Sequence, residues 1–337
     1  GDDCDDTDPS VEGLDIDGDG YTTCDGDCSD AEPGDMEDSD GDGWTGCEGD
    51  CDDTLGTVHP YGYERVQDGI DQDCFAGDLQ TKVTVAQSGW SCGIDLRAEM
   101  WCWRPWGIEP NQPEPGTWTD IETFNYGQWA AVDSDGVFAT NSEFSVTEAA
   151  QLSGSSMGSF CALDGEGLLT CTDDVDAPDV AFSQLDMGVG HSCGVSLDGG
   201  VHCWGGDIYG QVSDAPAGSG FVQVDTAESS SCALDRNGHV TCWGARTWKP
   251  EKSYVQITGL HWDHCGLRSD GTIDCWDNSR IHTSYEGDWV WIDGGGQELC
   301  AVASDGSAQC WLEGEEGTIP QGFCQTLEDT DGDGWLA

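Results

Sequence analysis

Short runs in which apolar and polar residues alternate recur through most of the chain. Four of them are residues 83–85, 221–224, 254–257 and 289–292. A period of two places successive side chains on opposite faces, so each run predicts a β-strand with one apolar face. We expect these apolar faces to pack between neighbouring sheets.

A second pattern follows most of these runs and repeats seven times from residue 79 onward. In its full form, a cysteine begins the repeat and a Cys-Trp pair follows ten positions later. The repeats start about 35 residues apart, which indicates a repeat architecture. The cysteine pairs are Cys92 and Cys102, Cys161 and Cys171, Cys193 and Cys203, Cys232 and Cys242, Cys265 and Cys275, and Cys300 and Cys310, and a seventh repeat keeps the frame from Ala130 to Thr140 without cysteines.

Each repeat has the sequence of a β-hairpin. If its two cysteines lie opposite each other, a three-residue loop remains, and the last loop residue is glycine in six of the seven repeats. Such loops need a left-handed residue there, which glycine supplies without strain. Ala98 takes this place in the first repeat, so we expect a different turn there.

The opposed cysteines predict six disulfides, since directly paired residues in a hairpin lie within disulfide distance. A zinc site is disfavoured because the chain has no C-x-x-C pair. Six disulfides indicate an oxidising compartment, so the protein is expected to be secreted or on the cell surface.

Seven strand-and-hairpin repeats predict an all-β fold, a seven-bladed β-propeller with disulfide-stapled hairpins. The residues CWGG and GQ within 203–211 are similar to the repeat of the regulator of chromosome condensation family, and the resemblance covers about residues 80–318. The resemblance implies a propeller but does not fix a function, since relatives include nucleotide exchange factors, a β-lactamase inhibitor and bacterial surface proteins.

The charge changes this picture at the N-terminal end. The chain has 67 acidic and 10 basic residues, a formal net charge of −57. Nucleic acid is therefore excluded as a partner, and membrane insertion is not expected, because no apolar run reaches the length of a span. Residues 1–78 carry 27 acidic residues and one basic residue, Arg65. Composition alone favours a disordered acidic segment there.

The spacing of the acidic residues favours a folded, calcium-binding segment instead. The pattern D-x-D-G-D-G-aromatic occurs three times. Carboxylates at positions 1, 3 and 5 of a tight loop converge, glycine at position 6 permits the turn, and the carbonyl of position 7 adds a ligand, which together suit Ca²⁺. The candidate ligands are Asp15, Asp17, Asp19 and Tyr21, then Asp38, Asp40, Asp42 and Trp44, then Asp329, Asp331, Asp333 and Trp335, with Asp27 and Asp50 placed to close the first two loops.

The residues around these loops are similar to bacterial metal-binding motif repeats, which in turn resemble thrombospondin type 3 repeats. The sequences GDCDD at 49–53 and DGIDQDC at 68–74 carry the resemblance, which covers roughly residues 1–78 and 325–337. It implies calcium-filled, disulfide-linked extracellular spacers, and it adds four candidate ligands: Asp53, Asp68, Asp71 and Asp73.

Seven cysteines lie outside the hairpins, and their pairing stays open. One arrangement pairs Cys4 with Cys24, Cys28 with Cys47 and Cys51 with Cys74, and leaves Cys324 over. Another joins Cys74 to Cys324. Either way, one cysteine is left to stay free or to bond outside the chain.

The two ends of the chain match two halves of one motif. Residues 331–337 followed by residues 1–7 read DGDGWLA-GDDCDDT, which resembles residues 40–54. We therefore expect one period of a tandem or polymeric array, in which Asp3 closes the loop begun at Asp329; a cut made there by chance is the alternative. The predicted domains are an acidic calcium-binding segment at 1–78, a propeller at 79–318 and the start of a further repeat at 319–337.

Nothing in the sequence indicates an enzyme. The match to G-x-S-x-G at residues 154–158 precedes a hairpin rather than joining a strand to a helix, and His261 and His264 are interpreted as structural. The sequence thus predicts a non-enzymatic extracellular calcium-binding structural protein, one repeating unit of a bacterial surface filament, stalk or adhesin that partners copies of itself. The alternative is a binding module for a glycan or an extracellular protein, enzyme inhibition included, through Trp101, Trp106 and Trp248.

Overall fold

The computed structural model describes residues 38–62, 64–67, 69–75, 77–86, 90–104, 117–124, 128–135, 137–141, 149–155, 159–172, 176–312, 314–317, 319 and 323. The chain divides into two compact units, Gly1–Glu64 with Ile70–Gly77 and Arg65–Gly69 with Asp78–Ala337. The domain boundaries inferred from the charge stay a prediction. Within the described ranges, no helix combines the length and the apolar character that crossing a membrane requires.

The described part of the second unit is all β and forms seven small antiparallel sheets. Sheets 1 to 4 contain β1 (Lys82–Val85), β2 (Ser91–Ile94) and β3 (Met100–Trp103); β4 (Trp118–Phe124), β5 (Gln128–Asp133) and β6 (Phe138–Thr140); β7 (Gln151–Gly154), β8 (Phe160–Leu163) and β9 (Leu169–Cys171); and β10 (Phe182–Met187), β11 (His191–Ser196) and β12 (Val201–Gly205). Sheets 5 to 7 contain β13 (Phe221–Thr226), β14 (Ser230–Asp235) and β15 (Val240–Gly244); β16 (Gln256–Gly259), β17 (His264–Leu267), β18 (Ile273–Trp276) and β19 (Ile281–Tyr285); and β20 (Trp289–Gly295), β21 (Glu298–Ala303), β22 (Ala308–Leu312) and β23 (Glu315–Glu316).

The hairpins have the predicted register. In sheet 5, for example, Cys232 lies opposite Cys242, and the loop ends at Gly238 with a φ of +76°. The expectation of a different turn at Ala98 is wrong in this respect, because Ala98 also adopts a left-handed φ of +57°. Asp95 accepts hydrogen bonds from the backbone N–H groups of two residues of the same turn, as Asp164 and Asp235 do in turns that end in glycine.

Seven disulfides join pairs of described residues. All six hairpin pairs predicted from the ten-residue spacing are bonded, with Cα atoms 4.0 or 4.1 Å apart. Cys51 is bonded to Cys74, as the first of the two predicted arrangements has it. Cys47 is also in a disulfide, and its predicted partner Cys28 lies outside the described residues, as do Cys4, Cys24 and Cys324.

Apolar side chains from neighbouring sheets form the core of the second unit. One cluster joins Val83 and Ile94 of sheet 1 to Ile121 of sheet 2 and to Val302 of sheet 7, all of them fully buried. The first and last sheets therefore share a core. The four alternating runs identified in the sequence contribute to strands β1, β13, β16 and β20, as predicted.

Glutamines on the first strands of four successive sheets bind the open edge of the next sheet. An edge strand has unpaired N–H and C=O groups that need partners. The amide of Gln223 accepts from the N–H of Ile257 at 2.9 Å and donates to the C=O of the same residue at 3.0 Å. The same double hydrogen bond joins Gln151 to Leu185, Gln184 to Val224 and Gln256 to Ile292.

The first unit is built mainly of turns. Within its described residues the helical element is a short 3-10 helix, Gly46–Glu48, and the buried apolar side chains include Trp44 and Val58. The apolar core that the described residues of this unit form is small against the cost of ordering so acidic a segment, so we expect other interactions to contribute to the fold.

Candidate metal centre

The second of the three predicted calcium loops, residues 38–44, is the one that the structure describes. Its two glycines have φ values of +86° and +91°, which other residues adopt only with strain. Asp38 accepts hydrogen bonds from the N–H groups of both glycines, and Asp40 accepts one from the N–H of Asp42 at 3.1 Å. These bonds fold the loop so that carboxylate oxygens of Asp38, Asp40 and Asp42 lie within 4.8 Å of one another.

Three carboxylate oxygens of this unit are buried and accept no hydrogen bond in the described part of the chain. They are Oδ2 of Asp40, Oδ2 of Asp42 and Oδ2 of Asp50. Asp50 is 8% exposed. Burial raises the pKa of Asp42 and of Asp50, and the nearby carboxylate of Asp40 raises both further.

This donor set fits a hard cation. A buried carboxylate without a donor is costly, and Ca²⁺ prefers oxygen ligands at short range. Asp50 follows the loop in the sequence. It lies close enough to Asp40 for the charge of Asp40 to raise the pKa of Asp50. Asp38, Asp40, Asp42 and Asp50 are therefore the described residues that would hold the ion.

Two other predicted ligands of this loop have different partners. Asp53 accepts from the backbone N–H of Ser39 at 3.3 Å, so it closes the loop by a hydrogen bond. The side chain of Trp44 is buried and stacks on His59, with ring centroids 6.2 Å apart. The role of its carbonyl as a ligand stays a prediction.

A second acidic group lies beside the Cys51–Cys74 disulfide. Carboxylate oxygens of Glu64, Asp71 and Asp73 lie within 4.8 Å of one another. Glu64 is only 2% exposed and accepts from the N–H groups of Gln72 and Asp73 at 2.8 and 3.1 Å. Burial and then the charge of Glu64 raise the pKa of Asp73 well above its ordinary value. The three carboxylates repel one another, and a bound cation would reduce that repulsion.

The sequence predicted Asp71 and Asp73 but did not list Glu64 as a ligand. Its signal was present but weak, because one glutamate among many aspartates has no motif of its own. The other predicted ligands lie outside the described residues: Asp3, Asp15, Asp17, Asp19, Tyr21, Asp27, Asp68, Asp329, Asp331, Asp333 and Trp335.

A third cluster, Glu298 with Cys300 and Cys310, is not a thiolate metal site. Its two cysteines form a disulfide, and a cysteine binds zinc only as a free thiolate. This agrees with the reasoning that disfavoured zinc.

Two of the three aromatic residues proposed to bind a ligand are described, and both are partly buried. Trp101 donates from Nε1 to Asp95 at 2.9 Å, Trp248 is half-buried, and Trp106 lies outside the described residues. Trp262 is more accessible, at 49%, and the guanidinium carbon of Arg246 lies 6.0 Å from its ring centroid. Trp262 was not predicted to bind a ligand, because it lies in a short loop without a repeated motif.

No protein-family model matches the chain, and no curated protein matches it in sequence. Among solved structures, it is similar to the CRINKLY WD40 ectodomain of the Arabidopsis thaliana receptor kinase ACR4, with a TM-score of 0.57 and 18% identity over 72% of this chain and 98% of that one. It is similar to Kluyvelomyces marxianus Hsv2, with a TM-score of 0.51 and 7% identity over 68% and 91%. Saccharomyces cerevisiae Prp20p, the yeast RCC1, gives a TM-score of 0.40 and 12% identity over 71% and 75%.

At these identities the likeness shows the fold alone. The second unit is a β-propeller-like, disulfide-rich structure, and its disulfides fit an extracellular or secreted protein. The likeness of the first unit to thrombospondin type 3 repeats stays a prediction.

Proposed function

We propose that the protein is an extracellular, non-enzymatic, calcium-binding structural protein. Ions fix the aspartate-rich first unit, and the second unit is a closed seven-bladed propeller. The observation that carries the proposal is the group of three buried oxygens without hydrogen bonds, on Asp40, Asp42 and Asp50. Bound Ca²⁺ would supply their missing partner and reduce the self-repulsion of the chain.

Contacts between sheet 7 and sheet 1 support the closed propeller. The N–H of Val85 donates to Asp293 at 2.6 Å, and Nε1 of Trp291 donates to the C=O of Val83 at 3.2 Å. These bonds run from a side chain on one first strand to the open edge of the next, as the glutamine bonds do between sheets 3 to 7. The last sheet would thus be joined to the first by the same kind of bond from a side chain to a strand edge.

The proposed role is mechanical. A spacer stiffened by ions and a disulfide-stapled β-unit resist extension without any reacting group, so we propose that copies of the chain are its partners in a surface filament, stalk or adhesin. Asp38, Asp40, Asp42, Asp50, Asp71 and Asp73 are the described residues that we assign to calcium.

Hydrogen exchange of the full chain tests the calcium role. Protein treated with EGTA, a calcium chelator, is compared with the same protein after excess CaCl₂ or MgCl₂ is added back. We expect amides in residues 38–75 to exchange at least about 100-fold faster without calcium, since saturation at 100 times the dissociation constant stabilises by about 2.7 kcal/mol, while β10 to β15 stay protected. Equal exchange of residues 38–75 in all three samples would contradict the proposal.

A second candidate function, glycan binding, is favoured by the exposed ring of Trp262. A half-exposed indole next to Arg246, with Asp263 4.0 Å from that guanidinium, offers one apolar face and charged neighbours, as sugar sites often do. Binding to a panel of purified polysaccharides would be measured for wild type, Trp262→Ala and Tyr209→Ala, which removes another exposed ring. Loss in the first variant alone supports the site, and no difference between the variants excludes it.

A further inference from the structure

Sheet 4 has one strand fewer than sheets 6 and 7. In sheet 6, a fourth strand, β19, pairs with the outer edge of β18 and places Thr283 opposite Cys275. Strand β12 holds the place of β18 in sheet 4, since each contains the second cysteine of its hairpin. Residues 176–312 are described without a gap, and no strand in this range pairs with the outer edge of β12. Sheets of this unit can therefore carry a strand at an edge that sheet 4 leaves open.

The register of β12 shows which backbone groups face this open edge. Opposite residues in an antiparallel pair alternate between those that exchange hydrogen bonds and closer ones that do not. The Cα atoms of Cys193 and Cys203 are 4.1 Å apart, which is the closer kind, whereas the N–H of Ser196 donates to the C=O of Gly200 at 2.9 Å. The N–H and C=O groups of Val201 and Cys203 therefore point away from β11.

These outward groups have no partner among the described residues. Val201 and Cys203 take part in no backbone hydrogen bond besides the pairing of β11 with β12, and residues 206–220, which lead to β13, do not bond to them. Both residues are half-buried, whereas the equivalent edge of β15 is covered, with Val240 1% and Cys242 8% exposed. Unpaired N–H and C=O groups on a partly accessible edge are a template for another strand.

Strand β12 also lacks the features that usually protect an edge. Charged side chains, proline and bulges keep most natural edge strands from pairing with another chain. Residues 199–206, between Asp198 and Asp207, contain no Asp, Glu, Lys, Arg or Pro, and the pairing of β11 with β12 has no register shift. In a chain with a net charge of −57, the approach of a second copy is least opposed by repulsion along such an uncharged stretch.

Exposed apolar side chains flank the open edge at both ends. Leu197 precedes β12 and is 63% exposed, and Ile208 follows it and is 86% exposed. If β12 of a second copy paired antiparallel, the end of one strand would lie beside the start of the other. Leu197 of one copy and Ile208 of the other would then be at the same end of the pair, where each could shield the other from water.

We propose that two copies of the chain pair through their β12 strands, antiparallel and related by a twofold axis at His202. Val201 of each copy exchanges N–H···O=C hydrogen bonds with Cys203 of the other, so the open groups of both residues gain partners. The contact is self-complementary, as a twofold interface between identical chains must be, and it extends sheet 4 across both copies. It rests on the proposed function only in taking a copy of the chain as the partner, and it needs neither calcium nor the acidic first unit.

The substitution His202→Lys tests the pairing without removing a backbone hydrogen-bonding group. With the axis at His202, the two introduced ammonium groups lie directly opposite each other, where like charges destabilise a strand pair. His239→Lys, at an exposed position of sheet 5, is the matched control. Ile208→Ser, at a position that is almost fully exposed, removes the apolar side chain beyond β12 without opening a core.

The full-length proteins are compared by sedimentation velocity over a concentration series, once in EGTA and once in CaCl₂, and by hydrogen exchange of residues 199–206. We expect wild type and His239→Lys to form dimers in both buffers, and His202→Lys to dimerise at least about fivefold more weakly. Ile208→Ser should weaken the dimer by a smaller factor. Exchange of residues 199–206 should slow with rising protein concentration in wild type, and should not change with concentration in His202→Lys.

A wild type that stays monomeric at every concentration would overturn the pairing, as would a His202→Lys dimer as tight as that of wild type. Dimers whose residues 199–206 exchange at the same rate as in the monomer would place the contact elsewhere and also overturn it. Dimers in CaCl₂ alone would assign the association to the first unit instead, and would overturn it too. None of these results bears on the calcium proposal, which is measured by exchange of residues 38–75.

Discussion

The two units hold buried carboxylates in different ways. In the first unit, alternate aspartates accept hydrogen bonds from N–H groups of their own loop, and Oδ2 of Asp40, of Asp42 and of Asp50 accepts none from the described residues. In the second unit, the buried carboxylates lie on strands that are also held by hairpin pairing, disulfides and packed apolar side chains. Ions should therefore decide whether the first unit folds, but only adjust the second.

Removing disulfides should show this difference most strongly. Cys51→Ser with Cys74→Ser opens a crosslink between residues 23 apart, and loop entropy predicts a loss of roughly 3 kcal/mol in a unit whose described residues bury few apolar side chains. Cys232→Ser with Cys242→Ser opens a ten-residue crosslink inside a hairpin that its register still maintains. Hydrogen exchange in calcium should show the larger loss of protection in the first pair; a larger loss in the second would reverse the comparison.

Acid should weaken the second unit through a buried histidine. Burial lowers the pKa of His191 to about 4 from 6.5, with Asp207 acting in the opposite sense, and its Nε2 lies 2.7 Å from Oγ of Ser231. Because the folded state binds this proton less readily than the unfolded state, the contribution of His191 to stability falls as the pH drops from about 6.5 to about 4, by up to about 3 kcal/mol. The raised pKa values of Asp186 and Asp293 act in the opposite direction, so the comparison with a His191 variant is needed to isolate it.

His191→Gln keeps a hydrogen-bonding side chain and should remove this part of the pH dependence. Urea unfolding at pH 7 and at pH 4.5 measures the difference between wild type and the variant. Parallel losses in the two proteins would mean that His191 is not the group responsible.

The glutamine bonds between sheets should each contribute a similar, smaller amount. Gln223→Leu leaves both backbone groups of Ile257 at the edge without partners, which costs roughly 1–3 kcal/mol. Gln309→Leu, at a half-buried position on β22, is the matched control. Denaturant unfolding of the second unit should separate the two variants, and equal midpoints would remove the role given to the sheet edges.

The smallest effect is expected at Ala98. Its left-handed φ of +57° strains an alanine by roughly 1–2 kcal/mol. Ala98→Gly removes this strain, but glycine loses more conformational entropy on folding, so only part of the energy is gained. We predict a gain of up to about 1 kcal/mol, seen as a higher melting temperature. The opposite substitution, Gly238→Ala, should destabilise the protein, because the Cβ of the new alanine would lie 2.7 Å from the carbonyl oxygen of Tyr254.

The sequence contained the local part of this structure. Cysteine and glycine spacing fixed the hairpins, because a hairpin depends on neighbours along the chain. The glutamine bonds between sheets were not predicted, because they join strands about 35 residues apart and depend on how one sheet meets the next. Ala98 was misjudged because an alanine also adopts the left-handed conformation that this loop requires, and Glu64 was not predicted as a ligand because its partners come together only through the fold.

Buried carboxylates in the first unit that lack hydrogen-bond donors are proposed to bind calcium, and a substitution of Asp50 tests this most directly. Calcium titration calorimetry would compare chelator-treated wild type with Asp50→Asn and with Asp53→Asn, whose carboxylate already binds the N–H of Ser39. The account predicts that Asp50→Asn loses one calcium ion or binds it at least about tenfold more weakly, while Asp53→Asn changes it less. If Asp50→Asn binds as many ions as wild type and as tightly, the account is contradicted.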